Sequence, residues 1–142
     1  LGYGKIKNSK LKLLVTPPLI NTSNPNIVAR SLRSKDLLIK DLLKSRLFLV
    51  PGHKAELYCL AAEEARELCL PIVTLGIGSL SERVVHGKTG FIAKNHDEFA
   101  NYTLNLFEDN DLWTNIRNHL FNLRGSKHWN KSVLELINII KS

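Results

Sequence analysis

ELYCLAAEEARELCLPIV, Glu56 to Val73, is the stretch on which the rest of the chain turns. Its end, running on into Leu75, predicts a short buried strand, and the residues from about Leu60 to Leu68 predict the helix before it. Positions three and four apart share a helix face, so Leu57, Leu60, Ala61, Ala65 and Leu68 are expected to form one apolar stripe. Glu64 falls on that stripe, whereas Glu63, Arg66 and Glu67 fall on the opposite, solvated side. A carboxylate turned into an apolar seam costs on the order of several kcal/mol unless it is hydrogen-bonded, so Glu64 is expected to meet a partner residue or a ligand. Glu56 stands just before the helix, near the amide-bearing end that attracts anions. The two acids flank one expected site.

Outward from this stretch, short apolar strands alternate with helices. Leu47–Val50 is a four-residue apolar strand closed by Pro51 and Gly52, and Lys10–Thr16 reads as a strand ended by Pro17 and Pro18. A second strand is expected within Asn26–Leu32. Ser34 can cap a helix to about Ser45, with Leu37, Leu38, Asp41, Leu42 and Ser45 on one face. This alternation predicts one parallel sheet of about four or five strands, covered by helices on both faces. GIGSLSE, Gly76 to Glu82, is a glycine-bearing loop at a strand's carboxyl end, where open α/β sheets bind ligands; an ordinary strand-to-helix turn has the same composition. Asn95 and Glu98 have capping-box spacing before a helix striped by Phe99, Tyr102, Thr103, Leu106 and Phe107. A further helix is expected from about Asp111 to Leu123. The last, Lys127 to Lys141, is expected to bury Trp129, Val133, Leu136, Ile137 and Ile140.

The 142 residues, 44% of them hydrophobic, suit a single globular α/β domain over 1–142, with 126–142 as its C-terminal helix. No apolar run approaches the roughly 20 residues that cross a bilayer, and LGYGKIKNSK lacks signal-peptide architecture, so a cytoplasmic protein is expected. The chain begins without Met, which suggests a fragment. Cys59 and Cys69 lie at opposite ends of the central helix, roughly 15 Å apart, too far to bridge, and are expected as free thiols in a reducing compartment. The net charge of +7 is uneven: residues 1–54 hold eleven Lys or Arg against two acids, residues 55–142 nine against eleven. A basic first third suits phosphates or an anionic membrane surface with the protein peripheral to it, or simply a solvated face. Nucleic acid is not expected, because the charges are scattered and not interleaved with aromatics. No zinc-ligand spacing and no Ser/His/Asp arrangement stands out, and His53, His86, His96, His119 and His128 read as surface histidines.

The spacing of Glu56 and Glu64, seven residues between them, followed by Ala65 and then Pro71-Ile72-Val73, resembles the E-x7-E signature of retaining glycosyltransferases of family 4. In that family the segment looks like E-G-F-G-L-x-x-x-E-A-x-A-x-G-x-P-V-V, which Tyr58, Leu60, Glu64, Ala65, Pro71 and Val73 match. LFLVPG before it and GIGSLSERVVHGKTGF after it strengthen the likeness. Gly78, Leu80 and Glu82 fit a loop like G-G-x-P-E, with Ser79 and Ser81 replacing its second Gly and its Pro. HGKTGF resembles the family's D-G-x-T-G turn, to which we assign a structural role, and HWNKSV its tryptophan-bearing last helix. The resemblance covers roughly residues 36 to 140.

It implies a Rossmann-like parallel sheet flanked by helices, the C-terminal, donor-binding half of a GT-B fold, working against an N-terminal domain absent from this chain. By resemblance, Glu64 receives the donor's ribose hydroxyls, Glu56 contacts its sugar, and the amides of Tyr58, Cys59 and Leu60 hold sugar and phosphate, with Gly78 nearby. The donor would be a UDP- or GDP-sugar and the acceptor a glycan or lipid-linked acceptor. Neither cofactor nor metal is expected, and the chain alone would bind without catalysing. The likeness departs at Cys59 and Cys69, which stand where the family has glycine. A Cβ at Cys59 is expected to narrow the donor pocket, and Cys69 to carry about 1 kcal/mol of left-handed strain. The family's diphosphate-binding Arg and Lys have no match; Lys5, Lys7 and Lys10 share only charge and position with them. Two other readings stand beside this one: a noncatalytic remnant retained for partner binding, and a sugar-nucleotide epimerase of the same architecture.

Overall fold

The computed structural model describes residues 12–15, 23–29, 34–125 and 129–141, the last group's first four by backbone alone. Lys5, Lys7, Lys10, His128 and the side chain of Trp129 lie outside the described residues. The chain divides into two compact units, 1–39 and 40–142.

In the first unit, β1 (Leu13–Val15) and β2 (Ile27–Ala29) pair in parallel, Leu13 opposite Ile27. Asn24 prepares β2 with a turn of its own: its Oδ1 accepts the Asn26 N–H at 2.9 Å. Helix α1 (Lys35–Lys44), whose residues from Lys40 on belong to the second unit, begins where Ser34 was expected to start it, though the acceptor for Leu37 and Leu38 is the Ser34 carbonyl.

The second unit contains β3 (Phe48–Leu49), α2 (Leu60–Glu67), β4 (Ile72–Thr74), α3 (Leu80–Arg83), β5 (Gly90–Ile92), α4 (His96–Glu108), α5 (Asn110–Leu123) and α6 (Trp129–Lys141). Its strands form a parallel sheet in the order β3-β4-β5. Every pairing among the described strands is parallel, as expected, but the strands form two sheets of two and three rather than one.

Side-chain alternation along the strands divides the core into two layers. Phe48, Ile72 and Ile92 face one way and pack with Cys59, Ala62, Ala65, Leu80 and Val84 from the α2 and α3 side. Leu49, Val73 and Phe91 face the other way, onto Leu106, Ile116 and Leu120 of α4 and α5. Helices covering both faces are why β4 is wholly buried, with Thr74 its one polar side chain. The HGKTGF turn is structural: Thr89 Oγ1 accepts the Val85 N–H at 2.8 Å and His86 Nδ1 accepts the Ile92 N–H at 3.1 Å. A Cβ on Gly90 would strike the Ile72 backbone, so β5 can lie against β4 only with glycine there. Asn95 caps α4 through Glu98 N–H, and the Glu98 carboxylate returns to Lys94 N–H, one residue earlier than in a standard capping box.

Two expected burial patterns are overturned. The buried side of α2 is Ala62 and Ala65, with Cys59 and Cys69 at its ends, whereas Leu57 and Leu60 are 89% and 71% exposed and Ala61 is exposed too. Small residues face the sheet because they let the helix lie close to β4; the leucines would hold it off. Glu64 therefore stands on an exposed face, not in an apolar seam, and has no burial cost to offset. Likewise Val133, Leu136, Ile137 and Ile140 of α6 are exposed. The helix forms as the periodicity requires, but these apolar side chains are exposed and not buried as expected.

Candidate functional site

Two loops leave the carboxyl ends of β3 and β4 and run side by side. Gly52 bridges to Ile77, Leu75 N–H donates to Pro51 O at 3.1 Å, and Ser79 N–H donates to Glu56 O at 3.0 Å. Thr74, fully buried, ties the start of the pair: its Oγ1 donates to Pro51 O and accepts the Gly76 N–H at 3.0 Å. Gly78 is where they come closest. With φ of +69°, a Cβ there would lie 2.5 Å from His53 O and 2.8 Å from Glu56 O. Only glycine satisfies both the left-handed backbone and that approach.

Glu56 is thereby fixed by its main chain on both sides. Its N–H closes a turn onto His53 O at 2.9 Å, inside which His53 Nδ1 accepts the Ala55 N–H at 3.1 Å. Its carboxylate then turns forward, and Oε1 accepts the Cys59 N–H at 2.9 Å. One oxygen of the pair is left for other contacts. Cys59 itself adopts φ 55° and ψ 71°, after which α2 starts, with Ala62 and Glu63 both donating to Cys59 O. That leaves Leu60 and Ala61 as the amides of the first turn that the helix does not use. The Cys59 amide, expected to hold sugar and phosphate, is taken by Glu56.

Cys59 and Cys69 are the two non-glycine residues with positive φ among those described, at 55° and 56°. Both stand at positions where the signature quoted above carries glycine. The backbone has kept the glycine shape at both, at roughly 1–2 kcal/mol per residue. The Cys59 side chain does not narrow a pocket as expected; it is buried in the core layer with Ala62, Ala65 and Leu80. Both thiols are free and buried.

Glu64 lies one turn beyond Leu60 on the exposed face of α2 that also carries Ala61. Tyr58, just before the helix start, is half exposed. Of the expected residues, Glu56, Tyr58, Cys59, Leu60 and Gly78 are gathered by the paired loops, and Glu64 extends the group along α2. Ser79, in the place of a signature glycine, has a buried hydroxyl without a hydrogen-bond partner. Arg83 was not foreseen at all. It donates through Nε to Tyr58 O at 3.1 Å and pairs through Nη1 with Glu63 at 3.3 Å. Its partners are 25 and 20 residues away, and no local pattern announces a contact of that range. Among the described residues no three His, Cys, Asp or Glu side chains gather as a metal site would require, and no helix is long and apolar enough to cross a membrane.

The family model described as glycosyl transferases group 1 matches residues 28–120, about two thirds of the chain, including both loops and all of α2. No curated protein matches the chain.

Proposed function

Because the chain belongs to the glycosyl transferases group 1 family, we propose that it is the donor-binding domain of a retaining glycosyltransferase, taking a UDP- or GDP-sugar. The observation that carries this reading is the paired-loop geometry: Glu56 is locked at the start of α2 by Gly78 on one side and its own bond to Cys59 N–H on the other. Such a start offers amides and a positive helix end to a diphosphate, here from Leu60 and Ala61. Glu64, exposed one turn on, can accept two hydroxyl hydrogens from a ribose. The second oxygen of Glu56 is placed to accept from a sugar hydroxyl.

In transfer with retention, the bond from the anomeric carbon to the diphosphate oxygen breaks and a bond to the acceptor hydroxyl forms on the same face. The acceptor's proton leaves with the departing diphosphate. The acceptor is a glycan or a lipid-linked acceptor, brought by a second GT-B domain closing over the loops. This domain by itself binds the donor without turning it over. The glycine-like backbone kept at Cys59 and Cys69 favours a preserved site over a remnant, since a strained shape persists only where its surroundings impose it. Titration with UDP, GDP and the nucleosides uridine and guanosine tests the reading: a diphosphate should bind and its nucleoside should bind far more weakly. Equal binding of nucleoside and diphosphate would count against an anion site at α2.

A further inference from the structure

Arg83 reaches from α3 to the loop that carries Glu56. Its Nε donates to Tyr58 O at 3.1 Å, its guanidinium carbon lies 4.1 Å from the centre of the Tyr58 ring, and its Nη1 is 3.3 Å from Glu63 Oε1. The side chains of Arg83 and Glu63 are each only 14% exposed, so their attraction is less screened than a surface pair's. Glu63 is itself anchored, since Arg66 holds its other oxygen at 2.9 Å and also meets Glu67 at 2.9 Å. The guanidinium therefore sits in a fixed plane with three separate contacts.

The carbonyl that Arg83 takes belongs to the same peptide unit as the N–H that Glu56 takes. Tyr58 C=O and Cys59 N–H point in opposite directions across one planar trans peptide. Arg83 thus grips one edge of that plane and Glu56 the other, at 3.1 Å and 2.9 Å. The gripped unit leads directly into Cys59, whose left-handed backbone a non-glycine residue leaves unless it is restrained.

We propose that Arg83 is a positioning residue for donor binding: by clamping the Tyr58–Cys59 peptide against Glu56, it holds the entrance to α2 in its ligand-ready shape. This rests on the donor-site reading above for its consequence, though the clamp stands on geometry alone. A signature glycine at position 59 would take the left-handed shape without help; with cysteine there, an added restraint is needed. Lysine cannot replace the clamp, because a point charge on a flexible stem does not reach the Tyr58 carbonyl and Glu63 in one plane.

The test follows hydrogen exchange at the Cys59 amide together with calorimetric titration of UDP and GDP, in wild type, Arg83→Ala, Arg83→Lys and Glu63→Gln, with thermal melts alongside. Arg83→Ala should speed exchange at Cys59 and weaken diphosphate binding, each by about tenfold or more. Arg83→Lys should restore neither fully. Glu63→Gln, which keeps Arg83 but loosens its anchor, should move both in the same direction by a smaller factor. Unchanged exchange and affinity in Arg83→Ala, or full rescue by Arg83→Lys, would overturn the proposal, as would a lowered melting temperature with both readouts intact. A wild type that binds neither nucleotide counts against the donor-site reading, and exchange at Cys59 then decides the clamp by itself.

Discussion

The Glu56 carboxylate accepts the backbone N–H of Cys59, three residues on, at 2.9 Å. This bond fastens an acid to the entrance of α2 and closes a loop whose last residue is left-handed. In the proposed reading one oxygen of this acid stabilises the loop and the other meets the donor. The two roles are separable by substitution.

Glu56→Ala removes the acceptor and should destabilise the fold by about 1 kcal/mol, in the range of a lost helix cap. Glu56→Gln keeps an oxygen in the same place and should stay within about 0.5 kcal/mol of wild type. Urea unfolding of the three proteins reads the difference. A Gln variant as unstable as the Ala variant would mean that the carboxylate's charge, not its hydrogen bond, holds the loop.

Cys69 follows the end of α2 with φ 56° while its side chain is buried between α4, α5 and the sheet. Glycine there relieves the left-handed strain but removes buried surface and adds freedom to the unfolded chain, so the effects oppose each other. Cys69→Gly should therefore lie within about 1 kcal/mol of wild type, whereas Cys69→Val, branched at Cβ, should lose about 2 kcal/mol or more. Equal stability of the two variants in chemical denaturation would show that the backbone changes shape freely at this position.

Ser79 contributes its N–H to Glu56 O, while its hydroxyl, with the residue 8% exposed, has no partner. A buried polar group left unmade costs about 1–3 kcal/mol. Ser79→Ala keeps the backbone bond and removes the penalty, so its melting temperature should rise by a few degrees. A fall would show that the hydroxyl is hydrogen-bonded in solution.

Most of the element order was legible in the sequence because those elements carry their own local signals, whereas β5 (Gly90–Ile92) was not, since HGKTGF reads as a turn and its pairing with β4 is set by the sheet. The apolar run Ile72–Leu75, the Asn95–Glu98 cap and the glycines of the two loops all act over a few residues. Which side of α2 is buried was not legible. Leu57 and Leu60 are more apolar than Ala62 and Ala65, and hydrophobicity alone assigns them to the core. The structure reverses this because closeness to β4 selects for small size, a demand set by the sheet and invisible in the helix. The same holds for Arg46, whose side chain donates to Leu106 O at 2.9 Å and to Asn110 Oδ1 at 2.8 Å and lies over the Trp113 ring. Sixty residues separate Arg46 from Leu106, so periodicity gives no sign of the contact. For the candidate site, the spacing of Glu56 and Glu64 and the likeness at Gly78 point to the paired loops and α2, while Arg83 and the Glu56–Cys59 bond depend on long-range or turn geometry that the sequence does not display. The burial expected for Glu64 fails, because its face of α2 is exposed.

The central claim is that this domain binds a nucleotide-diphosphate sugar with Glu64 on the ribose, and calorimetric titration of UDP and GDP into wild type and Glu64→Ala tests it most directly. Glu64 is exposed, so the substitution should change stability by no more than about 0.5 kcal/mol. Loss of a charge-assisted contact of roughly 1.5–3 kcal/mol should weaken the bound nucleotide about ten- to a hundredfold. A Glu64→Ala protein that binds UDP and GDP as tightly as wild type would contradict the account.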